Sequence, residues 1–83
     1  MNEEQLHAAL LGALADVAPD VDAAAIDPDA DLAEELEIDS IDRLNLVVAL
    51  HERIGVEIPE RDYGRLSSVN ATVAYLLAAQ GAP

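Results

Sequence analysis

Apolar side chains recur at helical spacing near the beginning of the chain. They are Leu6, Leu10, Ala13, Leu14 and Val17. This spacing places them on one face of a helix. Pro19 follows closely, and a proline disfavours the helical conformation in the residue before it. The pattern therefore predicts a first helix over about residues 3–17.

A second helical stretch begins after a long acidic segment. Asp39 is a favoured N-terminal cap, and Asp42 lies where it would complete a capping box. Gly55 comes directly after the last apolar position, as expected of a C-terminal cap. These signals predict a second helix over about residues 40–54.

The segment before this helix, from Ala18 to Asp39, is long for a loop in a small domain, which usually means that it is functional or anchored. We expect residues 32–36 to form a helical turn. Apolar side chains are available to anchor the loop to a core, namely Val21, Ile26, Leu32, Leu36 and Ile38.

A short third helix is predicted after the extended residues 56–58. Pro59 opens it, it covers about residues 60–63, and Gly64 is expected to close it. One more helical stretch follows this segment.

The last helix is predicted over about residues 68–78, with Ser67 and Ser68 as candidate caps. The apolar face of this helix is formed by Val69, Val73, Leu76 and Leu77. The residues after it, 80–83, are expected to fray. The chain is therefore predicted to be all-α, a single domain over residues 1–83.

The second helix carries large apolar residues on two sides. At 100° per residue, one cluster is expected to be buried and consists of Leu46, Val47, Leu50 and Ile54. The opposite side carries Ile41, Leu44 and Val48 beside Asn45 and Glu52. Either another part of the chain covers these three apolar side chains, or they form a docking face for a partner.

Charge narrows the range of partners. Seventeen acidic residues against four arginines give a net charge of −13, which opposes binding to nucleic acid or to anionic membranes and favours basic protein surfaces. There is no cysteine for a disulfide or a thiolate site. We expect an intracellular, cytoplasmic monomer without membrane insertion, because no long apolar run and no basic leader is present.

Ser40 begins the second helix, where unpaired N–H groups favour negative charge. A phosphate on Ser40 would occupy such a site. The alternative is that Asp39 or Ser40 simply caps the helix, since both residue types are favoured N-caps. Hydrolysis is disfavoured, because His51 lies eleven residues further along the same helix, or roughly 16 Å away. The Asp27-x-Asp29-x-Asp31 spacing lacks the later calcium-loop residues, so no dedicated metal site is predicted, only weak divalent binding.

The stretch from Glu37 through Asp39-Ser40-Ile41-Asp42, and on to Ile58-Pro59 eighteen to nineteen residues after the serine, closely resembles acyl carrier proteins. The resemblance extends from about Leu6 to Leu77. It implies a four-helix bundle with a long first loop and a short third helix. Such a protein is not an enzyme.

The same resemblance implies 4′-phosphopantetheine, derived from coenzyme A and joined to Ser40 by a phosphopantetheinyl transferase, with Asp39 helping recognition. Acyl intermediates would be held as thioesters and presented to acyl-transferring or acyl-modifying enzymes. The residues expected to dock these enzymes are Ile41, Leu44, Asn45, Val48 and Glu52. In this family, fatty acid carriers usually have glutamate where Asn45 and His51 stand.

These two departures indicate a specialised lipid or polyketide-type pathway rather than general fatty acid synthesis. Two alternatives stay open from the sequence. One is an unmodified helical interaction module that kept the fold, although the Asp39-Ser40 pair speaks against it. The other is a carrier of aminoacyl or peptidyl groups.

Overall fold

A computed structural model describes residues 1–37 and 39–81. Within these residues lie the helices α1 (Glu3–Val17), α2 (Leu32–Leu36), α3 (Ser40–Ile54) and α4 (Val69–Gly81). Two 3₁₀ segments, Ala23–Ala25 and Glu60–Arg65, connect them. All regular structure in the described residues is helical, and the prediction of an all-α fold is confirmed.

The helix α1 lies at the centre of the bundle and packs against both α3 and α4. Asn2 caps it, with a side chain that accepts a hydrogen bond from the Gln5 amide at 2.8 Å. Burial of its apolar face against two neighbours is the main source of its stability, since isolated helices of this length are marginal in water. The buried apolar residues of the bundle are Leu6, Leu10, Ala13, Leu14, Leu32, Leu46, Val47, Leu50, Val56, Ile58, Leu66, Val69, Val73, Tyr75 and Leu76.

A surface ion pair joins α1 to α3. The Arg53 guanidinium donates to the Asp16 carboxylate at 2.8 Å. The same guanidinium lies across Gly12, where a Cβ would come within 2.8 Å of its Nη1 atom. Glycine at position 12 therefore leaves room for an arginine to cross from α3 to α1.

Aspartates organise the long connection between α1 and α3. Asp22 and Asp31 each accept a hydrogen bond from a backbone amide two residues later, and so cap the short helices that follow them. Asp29 accepts a hydrogen bond from the Asn70 side chain at 2.8 Å. The backbone amide of Leu32 donates to the Ser67 carbonyl at 2.8 Å, which ties α2 to the entry of α4. The acidic loop is thus anchored by its own polar groups as well as by the buried Leu32 side chain.

The remaining predicted anchors are less deeply placed than Leu32. Val21, Ile26 and Leu36 are partly exposed, whereas Ile38 lies outside the described residues. The expected helical turn at residues 32–36 is α2.

Two predicted helix ends are wrong. The third helix is a 3₁₀ helix that continues past Gly64 to Arg65, because Gly64 does not adopt the left-handed conformation that ends α3 at Gly55. The last helix begins at Val69, and the Ser68 hydroxyl just before it accepts a hydrogen bond from the Ala71 amide. This helix continues to Gly81 instead of ending at about residue 78.

The longer α4 has a tertiary cause. The Met1 ammonium donates to the Gln80 side chain at 3.1 Å, and the Gln80 amide in turn donates to the Met1 carbonyl. Alanines at 78 and 79 also favour continued helix. Residue Gln80 was expected in a frayed tail but lies in α4, while residues 82 and 83 of that tail lie outside the described part of the chain.

Candidate functional site

The start of α3 is held by a reciprocal pair of aspartates. The Asp42 amide donates to the Asp39 side chain at 2.9 Å, and the Asp39 amide donates back to the Asp42 carboxylate at 3.4 Å. Glu37, the last residue of the preceding turn, has a positive φ of 53°. A left-handed turn followed by a capping box therefore defines where the helix begins.

Ser40 is the first residue of α3 and is exposed. The first intrahelical acceptor is the Asp39 carbonyl, which receives the Arg43 amide at 3.0 Å. The amides of Ser40 and Ile41 come before that bond, so they belong to the donor end of the helix, which favours an anion. An exposed hydroxyl beside these amides is placed to carry a phosphodiester.

A stripe of exposed apolar side chains continues from Ser40 along α3. Ile41 is 67% exposed, and Leu44 and Val48 are each 48% exposed. Hereafter Ile41, Leu44 and Val48 are called the apolar stripe. Asn45 and Glu52 are exposed on the same helix. Neither α1 nor the long loop buries these side chains, so the fold leaves the stripe open to solvent.

A groove of about 250 Å³ runs beside the apolar stripe. One wall belongs to α3 and the other to the extended segment and the 3₁₀ helix. Its lining is mostly apolar and consists of Leu44, Val47, Val48, His51, Val56, Glu57, Ile58 and Tyr63. Apolar surface in such a groove gains free energy when it leaves water against an apolar ligand.

Contacts with α4 hold the 3₁₀ wall in place. The Tyr75 hydroxyl donates to the Asp62 carboxylate at 2.8 Å, and the Arg65 guanidinium lies 5.0 Å from the centre of the Tyr75 ring. Burial raises the pKa of Tyr75 above its ordinary value of 10.0, and the hydrogen bond to the negatively charged Asp62 raises the pKa further. The neutral phenol is therefore the form that connects the two elements.

The structure brings some of the predicted residues together and adds others. The predicted docking residues all lie on α3, and Leu44 and Val48 line the groove as well. His51 is exposed, borders the groove and has its Nδ1 atom 3.2 Å from the Val56 carbonyl. The opposite wall was not anticipated, although the alternation of buried Val56, exposed Glu57 and buried Ile58 signals one inward face.

A second groove, of about 480 Å³, lies on another side of the bundle, between α1 and α4. Its lining is more polar and includes Glu3, His7 and Asn70. In the described part of the chain, no group of three or more histidines and carboxylates is placed to hold a metal ion. None of the described helices is long and apolar enough to cross a membrane.

The fold and the exposed serine define a small helical carrier, and comparison with known proteins agrees. Residues 8–76 match the family model described as a phosphopantetheine attachment site. The chain is 37% identical to an acyl carrier protein of Streptomyces coelicolor over 82 residues, which cover 99% of this chain and 89% of that protein.

Two further relatives cover less of the sequence. An acyl carrier protein of Helicobacter pylori is 39% identical over 56 residues, 68% of this chain and 72% of its own length. An acyl carrier protein of Rubrobacter xylanophilus is 36% identical over 62 residues, 75% of this chain and 76% of its own length. The chain therefore belongs to the acyl carrier protein family. As a member it carries acyl groups on phosphopantetheine and is not an enzyme, and its partners include phosphopantetheinyl transferases and acyl-processing enzymes.

Proposed function

We propose that the phosphopantetheine of this carrier is attached to Ser40. The supporting observation is the position of Ser40, which is exposed at the first turn of α3 inside the span that matches the attachment-site family. In the modification, the Ser40 oxygen forms a bond to phosphorus and the bond to the departing adenosine 3′,5′-bisphosphate of coenzyme A breaks. The hydroxyl proton passes to the transferase or to solvent.

Asp39 has two roles in this proposal. It fixes the start of α3 through its bond with the Asp42 amide, and it presents a carboxylate beside Ser40 to the transferase. Once attached, the group supplies a terminal thiol that forms thioesters, chemistry that a chain without cysteine lacks.

Partner enzymes dock, in this proposal, on the exposed side of α3. The apolar stripe supplies contact area, while Asn45 and Glu52 contribute polar contacts at its edge. Charged and polar groups at such a rim mainly set the encounter rate and the choice of partner. Asn45 is neutral, so it adds no negative charge to this face, although the chain as a whole has a net charge of −13.

The combination of Asn45 and His51 supports the finer proposal, that the carrier serves a specialised lipid or polyketide-type pathway. Both residues are exposed on α3, and both stand where the family resemblance leads one to expect glutamate in carriers of fatty acid synthesis. Enzymes with strongly basic docking patches would therefore bind this face less well.

The attachment site is tested by intact mass after incubation with coenzyme A and a transferase of broad specificity. The wild type should gain one phosphopantetheine, and Ser40→Ala should gain none. Ser68→Ala, which alters a serine at the start of another helix, is the matched control and should still be modified once. Modification of Ser40→Ala would refute the assignment.

A further inference from the structure

Among the residues that the structure describes, Thr72 is the one polar residue that is buried in the core. It is 0% exposed, and within the described part of the chain its Oγ1 atom has no hydrogen-bond partner. Buried hydroxyl groups are nearly always paired, because an unpaired one loses its bonds to water without replacement. Such a hydroxyl can be paired either by a polar ligand or by an acceptor within its own helix.

The position of Thr72 on α4 shows which part of the interior it faces. At 100° per residue, Leu76 lies about 40° to one side of Thr72 and Tyr75 about 60° to the other. Leu76 is fully buried, and Tyr75 contacts Asp62 of the 3₁₀ helix. Thr72 therefore faces the core on the side of α4 that is turned toward the 3₁₀ helix.

The 3₁₀ helix that Tyr75 contacts also forms part of the apolar groove. The groove runs between α3 and the 3₁₀ helix, which contributes Tyr63. The other groove belongs to the opposite side of α4, where Asn70 and Ala74 line it. An acyl chain that enters between α3 and the 3₁₀ helix would thus approach the face of α4 that carries Thr72.

We propose that the Thr72 hydroxyl is a specificity determinant for cargo and pairs with a ketone or hydroxyl group on an acyl chain inserted through this groove. The inference rests on the proposed loading of acyl groups at Ser40. A saturated chain gains from leaving water but leaves the hydroxyl unpaired. A chain with an oxygen substituent would lose its own hydration on entry, and Thr72, which can donate and accept, would replace it.

A competing arrangement has a different signature. The Thr72 amide donates to the Ser68 carbonyl at 2.9 Å, and the threonine hydroxyl would be able to turn toward the same acceptor. A hydroxyl satisfied within its own helix would affect stability equally for every cargo. Dependence on the cargo therefore separates the two arrangements.

The test uses the full chain as wild type, Thr72→Val and Thr72→Ser. Valine keeps the shape of threonine without the hydroxyl, and serine keeps the hydroxyl. Each protein is loaded with an octanoyl thioester, or with the same chain carrying one ketone at successive positions. The rate at which an external thiol cleaves each thioester reports how far the chain is withdrawn into the bundle. Comparing variants for each cargo cancels the intrinsic reactivity of that thioester.

For the ketone position nearest to Thr72, cleavage should be about fivefold faster in Thr72→Val than in wild type, the effect of losing one buried hydrogen bond. Thr72→Ser should retain most of the protection. For the octanoyl chain, Thr72→Val should be protected at least as well as wild type. Infrared spectra should show the ketone stretch of that cargo at lower frequency in wild type than in Thr72→Val, because a hydrogen bond weakens the carbonyl bond.

Equal effects of Thr72→Val on saturated and ketone-bearing cargo at all positions, with unchanged ketone spectra, would overturn the inference. Failure of the wild type to load at Ser40 would instead overturn the proposed attachment site. If Thr72→Val does not fold, Thr72→Ala, which also lacks the hydroxyl, replaces it in both comparisons. In wild type alone, a ketone stretch at the same frequency for every ketone position would also overturn the inference.

Discussion

The two sides of α3 carry the same kinds of side chain and meet opposite surroundings. Leu46, Val47 and Leu50 are at most 7% exposed, whereas Leu44 and Val48 are each 48% exposed. Both sets are aliphatic, and both lie within the same fifteen residues of helix. Residue type alone therefore does not explain where the helix packs.

The difference shows that only one side of α3 is needed to build the bundle. The inward side packs against α1, where burial stabilises the fold by roughly 25 cal/mol per Å² of apolar surface. The apolar stripe contributes little to folding, and its exposure beside Ser40 fits a role in binding. The predictions that follow separate stability from binding along this one helix.

The largest expected effect is on stability. Leu50→Ala should lower the free energy of unfolding by about 3 kcal/mol, because it removes a fully buried side chain and leaves a cavity. Leu44→Ala should change it by less than about 0.5 kcal/mol, as expected of surface positions. Urea denaturation followed by circular dichroism measures both values. Similar losses for the two variants would mean that the apolar stripe packs in solution against part of the chain itself.

The next effect is on the encounter with partner enzymes. The double variant Asn45→Glu/His51→Glu adds negative charge beside the apolar stripe, so an elongating enzyme of general fatty acid synthesis should turn it over about fivefold faster than wild type. The assay compares holo proteins with matched loading. The control Asn45→Gln/His51→Gln has side chains of the same length without the charge and also loses the contact of His51 with the Val56 carbonyl.

Val48→Glu tests the stripe itself. It should weaken turnover by the carrier's own partner enzyme without unfolding the protein, because a charge replaces a half-exposed aliphatic side chain.

Equal turnover of the wild type and the double glutamate variant would remove the main support for a specialised pathway. Equal gains from the glutamate and glutamine pairs would trace the effect to shape or to the lost His51 contact.

Local signals were enough to predict α3 and its two sides. The Asp39 and Asp42 side chains begin the helix, Gly55 ends it with a φ of 77°, and the apolar residues between them follow a helical period. Each signal acts within a few residues of the place where it appears. The exposed position of Ser40 at the helix start follows from the same local rules.

Features that depend on distant contacts were not predictable in the same way. The extra turn of α4 is tied to Met1 through Gln80, and the 3₁₀ helix beyond Gly64 is tied to α4 through Asp62 and Tyr75. The far wall of the groove exists because residues 56–63 lie beside α3. Thr72 lies among the apolar positions of α4, but its polar type kept it out of the predicted apolar face.

The smallest expected effect concerns that far wall and appears at alkaline pH. Because the pKa of Tyr75 is raised above 10.0 in the folded protein, its contribution to stability is fully present below about pH 10 and is lost as the pH rises through the folded-state pKa. The chain contains no lysine, so few other side chains titrate in that range. Wild type should therefore lose stability as the pH rises above about 10, as measured by urea denaturation.

Tyr75→Phe should be less stable than wild type at neutral pH, because it lacks the bond to Asp62, and should show a smaller alkaline loss. Asp62→Asn keeps an acceptor but removes the negative charge that opposes ionisation, so it should also reduce the alkaline loss. If both variants lose as much stability as wild type, Tyr75 is not the group responsible. Leu44→Ala should leave this alkaline transition unchanged. Leu44 belongs to the apolar stripe on α3, across the groove from the 3₁₀ helix that Tyr75 contacts.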